Sequence, residues 1–591
     1  MKRRKENFTD RNRADKHIFR KQSLDDTRQF EGIDPDDYQE DSPDEEMHFD
    51  FDESDVEKFR HQNLDDGPDG RTRTGYRSAD SRTRVNVKPD RAYRKQDIDE
   101  NEDTRSPRGG GDTVFFGIAN KKKTNSEIRR LSYVMLALIF GVAVYMVYFK
   151  IAGSRNVVNN PNNALLSKLE EKVVRGSILS ADGEILAKSS QADDGSYYRY
   201  YPYSSAFAHV VGTSAVNKSG VEQAADYDLV TSNISPAQKV LNDIKGERSP
   251  GNNVITTLDS KLQQTAVGQL SGRKGAIVAL DPSTGKVLAM ASAPDYDPNT
   301  LPSNYKSILA DKESKVLLNQ ATQGLFTPGS IFKLVTTTAY LRSGHDAEKY
   351  SYDCQGSISL KTDEGDIKSI SCYNGEVHGQ VGLTGSFAHS CNASYANIGQ
   401  IVKAEKLRQV SEELLFNKKL DTDLAAEKSV FDLRDSDSPW TVGATAIGQG
   451  RTQITPLHAA MLVSAAANKG MLMKPYVIDK VENAQGGTVR EASPSEYGQI
   501  FSKSEARTLR KMMKAVVSEG TGYRLQGKAY TAAGKTGTAE VAGQGNNAWF
   551  VGFAPADDPK IAVCVLLEDS GNAGSTAVPI AGKLFDSYLG N

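Results

Sequence analysis

The stretch G-A-I-V-A-L-D-P-S-T-G-K-V-L-A-M-A-S, residues 275–292, decides the fold of this chain. Its two apolar runs, residues 276–280 and 287–291, flank a Pro-Ser-Thr-Gly turn, which is the pattern of an antiparallel hairpin. Near the C-terminus, N-A-W-F-V-G-F-A-P and K-I-A-V-C-V-L-L-E-D predict two more strands, and T-A-V-P-I-A-G-K-L-F-D-S-Y-L predicts a closing helix. Strands at both ends of a long, mostly helical segment predict an α+β domain, with one antiparallel sheet flanked by helices and a helical subdomain inserted in it.

A serine begins a predicted helix inside that segment. In F-T-P-G-S-I-F-K-L-V-T-T-T-A-Y-L-R-S-G, residues 326–344, a Pro-Gly break precedes Ser330 and a helical run follows. Lys333 lies one turn further on the same face, within reach of the Ser330 hydroxyl. A serine hydroxyl needs a base to become a nucleophile, and a lysine can act as that base if burial depresses its pKa. The helix start also offers backbone N–H groups to a developing oxyanion.

S-x-x-K alone is weak evidence for a catalytic site, because it occurs by chance on many helices. Two later motifs make the assignment of this Ser-Lys pair specific. Ser390-Cys391-Asn392 follows Ser330 by 60 residues, and K-T-G-T at residues 535–538 begins 145 residues after Ser390. A phosphate loop is excluded for G-K-T at residues 534–536, because Ala529 stands where that loop needs glycine. A G-x-S-x-G nucleophile elbow is absent from the sequence, which argues against a Ser-His-Asp hydrolase.

Together these motifs resemble the penicillin-binding protein and serine β-lactamase superfamily, which carries S-x-x-K, S-x-N and K-T-G in this order. The hairpin segment, I-G-Q-G-R-T-Q-I-T-P-L and A-W-F-V-G-F-A-P are similar to the transpeptidase domain of class B penicillin-binding proteins. This resemblance covers residues 251–591, and R-G-S-I-L-S-A-D-G at residues 175–183 resembles the start of the family's pedestal. It implies the penicillin-binding transpeptidase fold with a small β-rich pedestal.

The resemblance also implies a role for each motif residue in catalysis. Ser330 would be the acylated nucleophile and Lys333 its general base. Ser390 would relay a proton towards the leaving amine. Asn392 would hydrogen-bond Lys333 and the peptide backbone of the substrate.

The K-T-G-T motif would bind the substrate. Lys535 would supply positive potential, and Thr536 and Thr538 would bind the terminal carboxylate of the stem peptide, with Gly537 between them on the substrate-binding strand. The backbone N–H groups of Ser330 and Thr538 would form the oxyanion hole. The implied chemistry needs no cofactor and no metal.

The resulting hypothesis is a peptidoglycan D,D-transpeptidase that cross-links D-Ala-D-Ala stem peptides and is inhibited covalently by β-lactams. A D,D-carboxypeptidase or β-lactamase and a penicillin-sensing receptor are the alternatives. No glycosyltransferase domain is evident in the sequence, so the resemblance implies a membrane glycosyltransferase of the SEDS family as partner. The formal net charge of -3 provides no basic field for nucleic acid.

One segment is long and apolar enough to cross a membrane. Residues 131–149, L-S-Y-V-M-L-A-L-I-F-G-V-A-V-Y-M-V-Y-F, carry no charge over 19 residues. More lysines and arginines precede this run than follow it, which predicts a cytoplasmic N-terminus in the plasma membrane and an extracytoplasmic catalytic domain. The predicted organisation is a disordered charged tail at 1–128, a transmembrane helix at 129–152, a pedestal at 153–250 and the transpeptidase domain at 251–591.

Four cysteines, Cys354, Cys372, Cys391 and Cys564, fall in the predicted exported part, where disulfides can persist. Cys354 and Cys372 flank a predicted hairpin with its turn near residues 363–365, so they either form a disulfide or stay as free thiols. A metal site using both cysteines and His378 is set aside, because their spacing matches no established zinc pattern.

Overall fold

A computed structural model of the chain describes residues 121–148, 164–541, 543 and 545–590. Residues 1–120 of the predicted tail, residues 149–152 of the predicted transmembrane helix and residues 153–163 of the predicted pedestal lie outside these residues. Helix α1 (Lys121–Tyr148) begins inside the range predicted as tail and continues through the predicted span. Its segment Ile128–Tyr148 has 21 residues with a mean hydropathy of 2.1 and is therefore long and apolar enough to cross a bilayer.

The pedestal consists of short strands and helices. Its second and third strands pair antiparallel across the Asp182-Gly183 turn. In chain order the elements are α2 (Ala164–Glu170), β1 (Val173–Val174), β2 (Ile178–Leu179), β3 (Ile185–Gln191), β4 (Tyr197–Tyr200), the 3₁₀ helix η1 (Ser204–Phe207), α3 (Ala208–Val211), α4 (Gly220–Ala224), α5 (Asp226–Leu229), α6 (Pro236–Lys245), β5 (Ser249–Pro250) and β6 (Asn253–Thr256).

A buried ion cluster joins these elements. The guanidinium of Arg175 lies 2.7 Å from Glu222 and 2.5 Å from Asp226, and Arg199 lies 2.7 Å from the other oxygen of Glu222. Both carboxylates are buried, so each needs these cations as partners. The next residue, Gly176, has no room for a side chain, since a Cβ there would lie 1.8 Å from the Asn252 carbonyl oxygen. The R-G pair of the pedestal motif thus serves packing and charge pairing.

The second part of the chain holds the predicted long sheet and its helical insertion. Its first elements are α7 (Ser260–Leu270), β7 (Gly275–Leu280), β8 (Val287–Ala293), α8 (Leu301–Ala310), the 3₁₀ helix η2 (Gly329–Phe332) and α9 (Lys333–Arg342). The insertion follows with β9 (Tyr352–Cys354), β10 (Ser357–Lys361), β11 (Ile367–Ser371), the 3₁₀ helix η3 (Tyr373–Gly375), β12 (Gly379–Val381), α10 (Leu383–Ala388), α11 (Asn392–Glu413), α12 (Pro439–Ala446) and α13 (Pro456–Ala467). The chain ends with β13 (Met471–Met473), β14 (Ile478–Glu482), β15 (Thr488–Glu491), β16 (Glu496–Gln499), α14 (Lys503–Ser518), the 3₁₀ helix η4 (Tyr523–Leu525), β17 (Ala533–Ala539), β18 (Asn547–Ala554), β19 (Ile561–Leu567) and α15 (Ala577–Leu589).

The predicted antiparallel sheet is confirmed, and it has five strands in the order β17-β18-β19-β7-β8. The first and last segments of the domain meet where β19 pairs with β7. Alternate side chains enter two cores: Ile277 and Phe550 face α7 and α15, whereas Val278 and Trp549 face α13. Helices therefore cover both faces and hold β17 at one edge.

The six-stranded pedestal sheet, in the order β15-β14-β6-β2-β3-β4, takes strands from both parts of the chain. Strand β14 pairs with β6, so residues 478–491 return to the pedestal from the far end of the chain. The sheet therefore crosses the predicted domain boundary at residue 250.

The predicted hairpin between the two cysteines is also confirmed, as β10 pairs antiparallel with β11 and Ser357 lies opposite Ser371. Cys354 and Cys372 lie at its open end. Their sulfur atoms are 3.7 Å apart, and both are free thiols.

We expect Arg175→Ala to lower the free energy of unfolding by about 2–3 kcal/mol, because Glu222 and Asp226 would lose their shared cation and keep only Arg199 and Lys218 as partners. The matched control is Lys245→Ala, which removes an exposed pair with Glu247 and should cost less than about 1 kcal/mol. Chemical unfolding of the full chain in detergent micelles measures both. Equal losses in the two variants would show that the buried cluster contributes no more to the free energy of unfolding than an exposed ion pair does.

Candidate active site

Ser330 lies in a tight turn held against the five-stranded sheet. The turn is the 3₁₀ helix η2, which continues directly into α9. Gly329 has φ 53° and donates its N–H to the Gly448 carbonyl oxygen at 2.9 Å. On the other side, Trp549 Nε1 donates to the Thr327 carbonyl oxygen at 3.0 Å. Two separate segments thus fix the backbone around Ser330.

Lys333 is fully buried, and its amine lies at the centre of a polar cluster. Lys333 Nζ is 3.0 Å from Ser330 Oγ, 2.7 Å from the Ser390 carbonyl oxygen, 3.2 Å from Ser390 Oγ and 2.8 Å from Asn392 Oδ1. The carbonyl and amide oxygens can only accept hydrogen bonds, whereas the two hydroxyls can also donate. A neutral amine has two N–H groups, which these two oxygens occupy. Its lone pair is then left for a hydroxyl, and Ser330 is the nearer of the two.

Ser390 and Asn392 reach the amine from the junction of α10 and α11. Ser390 adopts φ 57°, a left-handed conformation that is uncommon for serine. Asn392, the first residue of α11, donates through Nδ2 to the Ser371 carbonyl oxygen at 2.9 Å. That bond leaves Asn392 Oδ1 facing Lys333. The hairpin β10–β11 therefore orients one of the partners of the lysine.

The K-T-G-T residues lie on β17, at the edge of the sheet beside the turn of Ser330. Lys535 Nζ donates to Ser390 Oγ at 2.9 Å and to the Thr536 carbonyl oxygen at 2.9 Å. A Cβ on Gly537 would lie 3.0 Å from Ile331 and 3.1 Å from the Pro328 carbonyl oxygen, so glycine permits the close approach of strand and turn. Thr538 is partly exposed on the same strand.

The site has an unusual electrostatic character, since two buried lysines meet at one serine hydroxyl. Within the described residues, neither Lys333 nor Lys535 has a carboxylate partner. Burial lowers the pKa of Lys333 to about 7, although Cys391 and Cys372 oppose this effect. Burial and then the charge of Lys333 lower the pKa of Lys535 well below its usual value. Two buried ammonium groups this close disfavour each other's charge, so the site favours at least one neutral lysine and would be stabilised by a bound anion.

The structure brings together all the residues that the sequence singled out. Ser330, Lys333, Ser390, Asn392 and Lys535 form one continuous hydrogen-bonded set, and residues 536–538 lie on the adjoining strand. The sequence prediction missed two aromatic rings, Phe387 and Tyr395. Lys535 Nζ lies 5.5 Å from the centre of the Phe387 ring, and Lys333 Nζ lies 5.3 Å from that of Tyr395. Both aromatic residues lie close to the S-C-N motif in the sequence, and this proximity could have predicted that they belong to the site.

Comparison with known families agrees with this geometry. The family model for the penicillin binding protein transpeptidase domain matches residues 275–586. The chain belongs to the class B penicillin-binding proteins. A second model, the penicillin binding protein A dimerisation domain, matches residues 175–254, which lie in the pedestal.

Several relatives of this penicillin-binding protein are known. Peptidoglycan D,D-transpeptidase PbpA of Mycolicibacterium smegmatis is 31% identical over 491 residues, covering 77% of this chain and 97% of that protein. Stage V sporulation protein D of Bacillus subtilis is 27% identical over 521 residues, covering 81% and 75%. A D,D-transpeptidase domain from Eggerthella lenta superposes with a TM-score of 0.64 at 33% identity, covering 71% and 99%. The imipenem acyl-enzyme complex of penicillin-binding protein A from M. tuberculosis gives 0.64 at 29% identity, covering 71% and 100%.

A glycine pair in I-G-Q-G-R tests how the turn of Ser330 is held. Gly448 and Gly450 both have φ 81°, but a Cβ on Gly448 would lie 2.0 Å from the Gly329 carbonyl oxygen, whereas one on Gly450 meets nothing nearer than 3.7 Å. We expect Gly450→Ala to cost about 1–2 kcal/mol of stability from backbone strain alone. Gly448→Ala should lower the free energy of unfolding distinctly more, because its Cβ would also clash with the Gly329 carbonyl oxygen. Chemical unfolding of the two variants makes the comparison, and equal losses would contradict the proposed close contact.

Proposed function

We propose that this protein is a peptidoglycan D,D-transpeptidase that works through an acyl-enzyme on Ser330. The observation that carries the proposal is the buried amine of Lys333, which lies 3.0 Å from Ser330 Oγ. The Ser390 carbonyl oxygen and Asn392 Oδ1 accept the two N–H groups of the neutral amine, so its lone pair is left for the serine hydroxyl. This is the arrangement that a serine nucleophile requires of its base. Membership of the penicillin-binding protein family supports the same reaction.

In the acylation step, neutral Lys333 takes the proton of the Ser330 hydroxyl as Oγ attacks the carbonyl carbon of the penultimate D-Ala. The backbone N–H groups of Ser330 and Thr538 stabilise the oxyanion. The tetrahedral intermediate then collapses, and the C–N bond to the terminal D-Ala breaks. Ser390 Oγ lies 3.2 Å from Lys333 Nζ and 2.9 Å from Lys535 Nζ, and so can pass a proton to the leaving amine.

The edge position of β17 suits an extended peptide. Within the described residues this strand pairs only with β18, so its outer backbone groups can bind a stem peptide as an additional strand. The terminal carboxylate of the peptide would meet the hydroxyls of Thr536 and Thr538 and the charge of Lys535. An anionic substrate thereby supplies the counter-ion that the two lysines lack.

The acyl group is then transferred to an amine of a neighbouring stem peptide, which forms the cross-link. Transfer to water would make the protein a carboxypeptidase or β-lactamase, and a stable acyl-enzyme coupled to a cytoplasmic signal would make it a receptor. We propose further that α1 spans the plasma membrane with its N-terminus in the cytoplasm, so that the catalytic domain is extracytoplasmic. A SEDS-family glycosyltransferase in the same membrane is the proposed partner that supplies glycan strands.

Covalent labelling with a fluorescent penicillin tests the nucleophile. We expect Ser330→Ala to abolish labelling of the full chain in detergent, because the attacking oxygen is gone. The control Ser343→Ala changes a serine at the far end of α9 whose hydroxyl donates to the Ala339 carbonyl oxygen at 2.8 Å, and it should label like the unsubstituted protein. Labelling that persists in Ser330→Ala would contradict the assignment. Rapid loss of the label from the unsubstituted protein would favour a hydrolase over a transpeptidase.

The rate of this labelling should depend on pH through Lys333. Its neutral form accepts the serine proton, and burial lowers its pKa to about 7, so the acylation rate should rise as pH rises through about 7 and level off above. Stopped-time labelling across neutral pH measures the profile, with thermal unfolding as the check that the fold persists. Lys333→Arg should remove the rise, since arginine stays protonated. A flat profile in the unsubstituted protein would count against Lys333 as the base.

A further inference from the structure

Four potential metal ligands meet in the insertion, beside the active site. They are Cys354, Cys372, Cys391 and His378, and their ligand atoms all lie within 4.8 Å of one another. Cys372 Sγ lies 3.7 Å from both Cys354 Sγ and Cys391 Sγ, and His378 Nδ1 lies 3.5 Å from Cys354 Sγ. The three thiols are buried, and the side chain of His378 is only 6% exposed.

Three structural elements place these ligands. Strand β9 ends at Cys354 and pairs with β12, where Cys354 lies opposite Gly379, the residue after His378. Cys372 follows the hairpin strand β11, and its N–H donates to the Gly356 carbonyl oxygen at 2.8 Å. Cys391 caps the N-terminus of α11, where its sulfur accepts the N–H of Ser394 at 3.4 Å. The cluster thus joins two small β-units to the longest helix of the insertion.

We propose that these four side chains bind one zinc ion as a structural Cys₃His site. Tetrahedral zinc has Zn–S bonds of about 2.3 Å and Zn–N bonds of about 2.0 Å, which place two sulfurs about 3.8 Å apart and a sulfur and a nitrogen about 3.5 Å apart. The measured separations of 3.7 and 3.5 Å match these spacings. A disulfide needs sulfurs about 2.0 Å apart and would use only two of the three thiols.

The surroundings fit zinc as well as the ligands do. Three thiolates and an imidazole are a donor set of structural zinc sites, and each thiol releases its proton to solvent as it binds. His378 Nε2, on the far side of the ring, is buried, has no hydrogen-bond partner in the described part of the chain and lies 3.8 Å from the Glu376 carboxylate. A carboxylate in that position orients a metal-bound histidine. The N–H of Ser394 would partly balance the thiolate charge on Cys391.

The site would position two catalytic groups. Cys391 lies between Ser390 and Asn392, and Cys372 follows Ser371, whose carbonyl oxygen accepts the Asn392 amide at 2.9 Å. One ion bound to both cysteines would therefore hold both ends of that hydrogen bond. The sequence expectation against a metal is revised here, because the fourth ligand was hidden inside the S-C-N motif.

Metal analysis of the full chain, purified in detergent under reducing conditions and loaded with Zn²⁺, tests the site directly. We expect about one zinc per chain to survive gel filtration, and a loss of that zinc in the double variant Cys354→Ser/His378→Ala. Cys564→Ala is the matched control, since Cys564 is a buried thiol in β19 outside the cluster, and it should keep its zinc. No retained zinc in the unsubstituted protein, or zinc that survives the double variant, would overturn the proposal.

Measurements on the unsubstituted protein avoid the question of whether a variant folds. Co²⁺ in place of Zn²⁺ should give the absorption bands of a tetrahedral, thiolate-ligated ion, and a chelator should expose three further thiols to alkylation. A disulfide within the three cysteines of the reduced and metal-loaded protein, found by mass spectrometry, would overturn the proposal. Chelation should also slow labelling by penicillin on the order of 10-fold or more, with recovery on adding Zn²⁺. Chelated protein that labels at the full rate would refute the positioning role, while loss of labelling in Ser330→Ala concerns the nucleophile alone.

Discussion

The structure depends on keeping one lysine amine buried among polar groups that come from distant parts of the chain. Lys333 has no carboxylate partner in the described residues, and its hydrogen-bond partners there are oxygens from η2, from the α10–α11 junction and from Asn392. An unpaired ammonium in such a place is costly, so its environment favours the neutral base. If any of these segments moved, either the base would lose its orientation or water would enter and restore its ordinary pKa. The chemistry therefore requires a rigid support.

The five-stranded sheet supplies that support. Strand β17 holds Lys535, and Trp549 on β18 bonds the turn that carries Ser330. Helix α13 packs on one face of the sheet and α7 and α15 on the other, so the edge strand is fixed to a well-packed core. The pedestal is tied to the same body because β14 returns to pair with β6. The pedestal sheet is therefore connected to the rest of the domain through two chain segments, one before α7 and one before α14.

Periodicity and motif spacing predicted much of this. The alternating apolar runs gave β7, β8, β18 and β19, and the Pro-Gly break located the start of the helix after Ser330, because these are local properties of the chain. The resemblance to the penicillin-binding proteins indicated which side chains meet in the active site. What local patterns could not predict was tertiary: the return of β14 to the pedestal and the rings of Phe387 and Tyr395 beside the lysines. The sequence did not indicate Cys391 as a metal ligand, because the other cluster residues are distant in sequence. Its neighbours Ser390 and Asn392 also had catalytic roles assigned already.

The conformation of the S-C-N junction, residues 390–392, depends on contacts with neighbouring segments. Ser390 holds a left-handed backbone conformation, which costs about 1–2 kcal/mol and persists only where the surroundings enforce it. The C-terminus of α10 stabilises it, because the Ser390 N–H donates to the Phe387 carbonyl oxygen at 3.2 Å and the Cys391 N–H to the Ser386 carbonyl oxygen at 2.9 Å. Further contacts come from the hairpin, since the Ser371 carbonyl oxygen accepts the Asn392 amide and Cys372 Sγ lies 3.7 Å from Cys391 Sγ. The insertion therefore supports the S-C-N junction from both sides, through the end of α10 and through the hairpin, and the proposed zinc ion would bond the cysteine of that junction directly to the hairpin.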